Sequence, residues 1–275
     1  KYTVAMILSS GSGTALASGW PGVMASLLYA VAALQGGRQE RWATLALPAA
    51  WVAHLMALVF DLGGLGTGGE GARLGFAPVL SLTVWIVIGL HAIESRFVPL
   101  PAVRGWLAPA GVLVVLLAAL FPGDSRHIGS PLGALHFVLG VGAYGLFGAA
   151  VLHGALLDAA ERRMRLKRPS LSGAAGMPLL QLERLTFRFV EVGFAVLTAT
   201  VLLGLFSSTQ WRWDHKTVFS LLGWAVFAGL VAGRRLQGWR GRRATRWLYA
   251  GALLLLLSYV GSRFVLEVLL GRPSH

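Results

Sequence analysis

The chain is 275 residues long, 56% apolar and 13% charged, with a mean hydropathy of +0.68 and a formal charge of +13. That apolar content exceeds what a soluble domain carries and points to a polytopic membrane protein, while the positive charge says nothing about nucleic acid until its location is known. Cysteine is absent, which excludes disulfides, CxxC redox chemistry, thiolate-ligated iron and cysteine-based zinc sites, and leaves histidine as the soft metal ligand.

About 20 apolar residues, rising about 1.5 Å each, cross about 30 Å of hydrocarbon, and this length rule predicts an all-α bundle of eight spans. Residues 1–19 read as an N-terminal segment, and residues 20–275 as one transmembrane domain. The opening KYTVA fits neither a signal sequence nor a span and reads as partly cloning-derived. No cleavable secretory signal is expected, since no basic region precedes the first apolar run. The first span falls within residues 6–36, where SSGSGTALASG dilutes the signal that WPGVMASLLYAVAALQG carries. Further spans fall near 43–63, 78–97, 106–122 and 135–157. The connector 158–188 starts as a helical extension and breaks at Arg168-Pro169 and SGAAGMP. Spans near 186–207, 217–233 and 246–268 complete the set.

Charge orients these elements. Connectors 37–42, 94–105, 158–188 and 234–246 hold 17 of the 24 Lys and Arg, against 7 on the opposite side. The arginine-rich connectors are therefore expected in the cytoplasm, with both termini on the outer side. ERRMRLKR and GRRLQGWRGRR read as topology determinants touching anionic lipid, and no nucleic-acid partner is expected.

Four histidines fall in or at the edge of spans, where an ionisable side chain asks for a partner or a role. His54 lies near mid-depth, His91 in the inner half of its span, and His136 at the outer end of the fifth. His153 is on the same span as His136, about 25 Å deeper by helical rise. Two imidazoles on opposite faces of a haem would supply axial ligands without cysteine. Alternatively, each imidazole hydrogen-bonds a neighbouring helix. No HExxH is present, which argues against a zinc protease.

The stretch QWRWDHKTVFSLLGW at 210–224 also has two readings. Trp211 and Trp213 belong either to an interfacial indole belt or to an aromatic shelf with His136 and His215 nearby. In both, Asp214 sits where a carboxylate can cap the next helix.

WRWDHKTVFSLLGW resembles the tryptophan-rich signature of the cytochrome c assembly protein family, with Trp211, Trp213, Asp214, Lys216, Ser220, Leu221 and Trp224 matching. GWRGRRATRWLYAGALLLLLSYVGSRF resembles the end of that domain, closest to its small HemX-like inner-membrane branch. LHFVLGVGAYGLFGAAVL resembles the helix carrying a ligand histidine, and AWVAHLMAL the second span of the branch. The resemblance implies a haem-handling protein of the bacterial inner membrane that binds b-type haem non-covalently. It implies cofactor contacts from His54, His136, Trp211, Trp213, Asp214, His215, Trp224 and Arg234, with His136 and His54 on the iron. Membrane lipids and haem-delivery or cytochrome c maturation proteins would be its partners.

The chain departs from the family pattern in several places. His215 and Thr217 replace a proline and a glutamate, Arg234 stands where haem-delivering members carry a second intramembrane histidine, and Leu270 takes the approximate place of a final outer one. A guanidinium has no lone pair for iron, so Arg234 is expected to pair with a haem propionate or a lipid phosphate at the cytoplasmic side. These departures favour haem binding over haem delivery, and no enzymatic activity is expected. The alternatives are a solute transporter, with Arg188 and Glu191 as a gate pair, or a membrane scaffold without a cofactor.

Overall fold

The structure is a computed structural model, and it describes residues 14–34, 41–63, 72–96, 101–123, 125–126, 130–166, 178–207 and 214–270. Eight helices traverse these residues: α1 (Thr14–Leu34), α2 (Arg41–Leu62), α3 (Phe76–Glu94), α4 (Pro101–Leu120), α5 (Pro131–Arg165), α6 (Leu179–Ser207), α7 (His215–Gln237) and α8 (Gly241–Leu256). After Leu256, α8 continues through a π-helical turn (Leu257–Gly261), a short α turn (Ser262–Phe264) and a second π segment (Val265–Leu269). Seven of the eight are long and apolar enough to cross a membrane, whereas α1 contributes only the shorter apolar stretch Gly19–Leu34. The chain is a multi-pass helical membrane protein.

Each predicted span matches a helix, but several helices overrun their spans. The fifth runs to Arg165 rather than 157, and the sixth begins at Leu179 rather than 186. The length rule measures a hydrocarbon-sized apolar window, and a helix keeps its backbone bonds beyond that window into charged sequence. Glu161–Arg165 and Glu183–Arg234 pairs, at 3.5 and 3.3 Å, occupy those overhangs. The π segments of α8 carry no mark in the hydrophobic pattern and were not expected.

The core is built in two halves. Ala25, Tyr29, Ala50, Ile88, Val103 and Leu107 anchor the packing of α1–α4. Phe147, Phe187, Phe227, Leu230 and Leu248 anchor that of α5–α8. Helices α3 and α5 pack against each other and join the halves. The α2–α3 contact is fixed by a reciprocal pair: Trp51 Nε1 donates to Trp85 O at 2.9 Å and Trp85 Nε1 to Trp51 O at 3.0 Å. Their rings stack 4.5 Å apart, so both indole N–H groups are satisfied inside an apolar interface.

At the end of the bundle where α2, α4, α6 and α8 finish, two-residue strands β1 (Ala72–Arg73) and β2 (Ser125–Arg126) pair antiparallel, Ala72 opposite Arg126. Behind them Gly75 and Gly123 pass so closely that a Cβ on Gly123, which has φ +73°, would lie 2.5 Å from Gly75 Cα. Only glycine accepts that approach and that dihedral together. Tyr259 OH donates to Leu74 O at 3.0 Å, and Glu267 Oε2 accepts from Phe76 N at 3.4 Å, so the last helix is tied to the start of α3.

Candidate functional site

Helix α5 starts at Pro131, whose missing N–H costs nothing at a first helical position, behind the cap Ser130, whose Oγ accepts from Gly133 N at 3.1 Å. This fixes the register that places His136, Gly140 and Tyr144 on one face at i, i+4 and i+8. Helix α7 starts beside it. Asp214 is its N-cap as the sequence predicts, with Oδ1 accepting from Thr217 N at 2.9 Å and from Thr217 Oγ1 at 2.8 Å.

Between these two helix starts and the ends of α6 and α8 lies a cavity of about 500 Å³. His136 lines it together with Asp214, Lys216, Thr217 and Ser220 from α7, Thr200 and Gly204 from α6, and Ser258 and Tyr259 from the π turn of α8. The remaining lining is mostly aliphatic, including Val141, Leu197 and Leu255. Apolar walls with a few convergent polar groups, at this volume, are the ordinary construction of a small-molecule or cofactor site. The exposed His136 imidazole makes no hydrogen bond among the described residues, and a Cβ on Gly204 would lie 3.1 Å from its Cε1. Glycine at 204 therefore leaves the ring its room. Hydroxyls meet at the floor: Tyr144 OH donates to Leu255 O and stands 3.1 Å from Ser258 Oγ, and Ser220 Oγ donates to Ser258 Oγ at 3.2 Å.

The other expected site residues do not all gather here. Trp211 and Trp213 lie outside the described residues. His215 is exposed at the first turn of α7 but does not line the cavity. Trp224, two turns deeper, donates from Nε1 to Thr198 Oγ1 at 3.0 Å and joins α7 to α6. His54 is 1% exposed and belongs to the other half of the bundle, with Nδ1 3.2 Å from Tyr29 OH and Nε2 2.8 Å from Ser81 Oγ. Both its ring nitrogens are engaged in hydrogen bonds between α1, α2 and α3, and it does not line the cavity that holds His136.

Arg234, expected to meet a propionate or a lipid phosphate at the cytoplasmic side, does not line the cavity. It sits at the arginine-rich end of α7, donates to Glu183 Oε1 at 3.3 Å and to Trp239 O at 3.2 Å, and lies 3.5 Å over the Phe187 ring. These partners occupy the guanidinium far from the cavity. The gate pair of Arg188 with Glu191 is not formed, because Glu191 pairs with Arg235 across the α6–α7 contact at 3.4 Å. Sequence reasoning missed Tyr144, Thr200, Gly204, Ser258 and Tyr259. The i, i+4, i+8 stripe from His136 and the 200, 204 spacing on α6 carried a signal for three of them; the π turn that turns Ser258 and Tyr259 inward did not.

The fold and cavity define a multi-pass helical membrane protein with a cofactor-sized chamber at one end, framed by a histidine and by the start of a tryptophan-signature helix. The model of the family described as Cytochrome C assembly protein matches residues 74–270, and the chain belongs to that family. It is similar to the inner membrane protein YpjD of Escherichia coli K12, 29% identical over 243 residues that cover 86% of this chain and 90% of that protein. An uncharacterized protein of Azospirillum brasilense is 28% identical over 236 residues, covering 84% and 78%. The cytochrome c biogenesis protein CcsA of Prochlorococcus marinus MIT 9515 is 25% identical over 219 residues, covering 68% and 70%. No solved structure matches the chain.

Proposed function

We propose that this protein binds haem non-covalently in the cavity beside His136, at the outer face of the bacterial inner membrane, and serves cytochrome c biogenesis. The observation that carries this reading is the meeting of His136 with the signature residues Asp214, Lys216 and Ser220 around one chamber of about 500 Å³. The donor set fits a porphyrin. An imidazole free of hydrogen bonds can bond iron, aliphatic walls suit the macrocycle, and the Lys216 ammonium at the rim suits a propionate. A bound haem would supply its iron and its identity as the prosthetic group of a cytochrome. Among the described lining residues His136 is the one histidine, so the chain's own part would be to offer one imidazole to iron, exclude water along the aliphatic wall and orient the acidic edge.

His54 and Arg234 then serve packing and the arginine-rich end. The relatives named as an inner membrane protein and as a cytochrome c biogenesis protein support the membrane and the pathway. Haem-delivery or maturation proteins are the partners proposed, alongside membrane lipid.

Haemin titration of the purified chain in lipid nanodiscs tests the reading. Saturation at no more than one haem per chain, with a Soret band, is the expected result. A folded chain that takes up no haem, either from haem-replete cells or on titration, would leave a scaffold or a transporter as the better reading.

A further inference from the structure

A second polar cluster lies at the other end of the α3–α5 contact, outside the cavity. His153 is 1% exposed, and its Nδ1 lies 2.7 Å from Ala149 O. A carbonyl oxygen can only accept, so Nδ1 carries the hydrogen of that bond. Its other nitrogen, Nε2, stands 3.0 Å from Glu94 Oε2. A neutral imidazole protonated at Nδ1 has only a lone pair at Nε2, and an ionised carboxylate has only lone pairs. At that distance, with both atoms buried and no other hydrogen-bond partner for either among the described residues, the contact is repulsive unless a proton lies on one of them.

One helical turn before Glu94, His91 is 3% exposed, and neither of its ring nitrogens has a hydrogen-bond partner among the described residues. Glu94, His153 and, from α4, Arg104 are the titratable groups that act on it. The other surroundings do not titrate near neutrality or are already committed. Helix α6 presents the Phe189 ring, 5.4 Å from that of His153. Helix α2 presents Trp51 against Gly89, with its indole N–H bonded to Trp85 O. Helix α8 presents Tyr249, whose hydroxyl donates to Asp158 Oδ2 at 2.9 Å.

We propose that Glu94 and His153 form a buried proton-binding site that holds one proton between Nε2 and Oε2. The site stands about 25 Å along α5 from His136, so one rigid helix carries the cavity histidine near one end and the proton site toward the other. Its occupancy does not depend on haem.

Infrared spectroscopy and 15N-histidine magnetic resonance of the full chain in nanodiscs at pH 7 test this, comparing wild type with E94Q, H153Q and H91Q. The proton is expected as either a protonated-carboxyl stretch or an N–H signal on His153 Nε2. That signal should be lost in E94Q and altered in H153Q, and it should persist in H91Q. A bare Nε2 beside an ionised Glu94 in wild type would overturn the proposal, and so would loss of the signal in H91Q with retention in E94Q. The wild-type spectra decide the matter even where a variant fails to fold.

Discussion

At the scale of single residues, the two sharpest sequence expectations concerned histidines, and the structure separates them by their partners. The ring nitrogens of His54 are held by Tyr29 and Ser81 in a site with 1% exposure, which is how an imidazole is tolerated inside a membrane protein. Replacing it by alanine strands two buried hydroxyls and opens a void. His54→Ala is therefore expected to lower stability by about 1–3 kcal/mol, read as an earlier unfolding midpoint in nanodiscs, while leaving haem uptake in place. Retained stability together with lost haem would put His54 back on the iron. Gly204 gives the opposite kind of prediction. Its missing Cβ clears His136 Cε1, so Gly204→Val should depress haemin affinity with little change in unfolding midpoint. Equal affinity in the variant would show that the ring has no need of that space. His136 and Asp214 were legible because a motif and a capping rule name them. The role of Gly204 was not, since a glycine's use is set by what faces it from another helix.

At the scale of elements, apolar windows found every helix but not its true ends. The start of α7 was legible from chemistry alone, since an aspartate three residues before Thr217 and the apolar run it opens is an N-cap. Asp214→Ala removes the acceptor for Thr217 N and Oγ1 and should cost about 1 kcal/mol. Hydrogen exchange concentrated at the first turn of α7 would confirm the origin of that loss, and an unchanged first turn would contradict it. The paired strands and the π turns were invisible in sequence because both depend on long-range contacts. Strand β1 pairs with a segment more than fifty residues away, and the turn at Leu257–Gly261 sits where Ser258 meets Tyr144 and Ser220. Such turns often mark functional sites, in keeping with the place of this one at the cavity floor.

For the whole molecule, alternation of charge and alternation of helix direction agree. The described arginines Arg162, Arg163 and Arg165 of α5 and Arg234 and Arg235 of α7 fall at the end opposite the cavity, because α5 runs from His136 at one end and α7 from Asp214. The positive-inside rule then predicts that the cavity faces outward. Single cysteines introduced into this cysteine-free chain near residues 170 and 240 should be shielded from an impermeant reagent applied outside the cell, and one near residue 130 should react. Labelling of the first two would invert the orientation.

If His136 binds the iron of a haem in the cavity, the absorption spectrum of the haem-loaded chain depends on it. Wild type and His54→Ala should share one Soret band at no more than one haem per chain. His136→Ala should shift that band or lose it, because removing an axial imidazole changes iron ligation. An unchanged spectrum in His136→Ala, or two bis-histidine haems recovered per wild-type chain, would take His136 off the iron or add a second haem site.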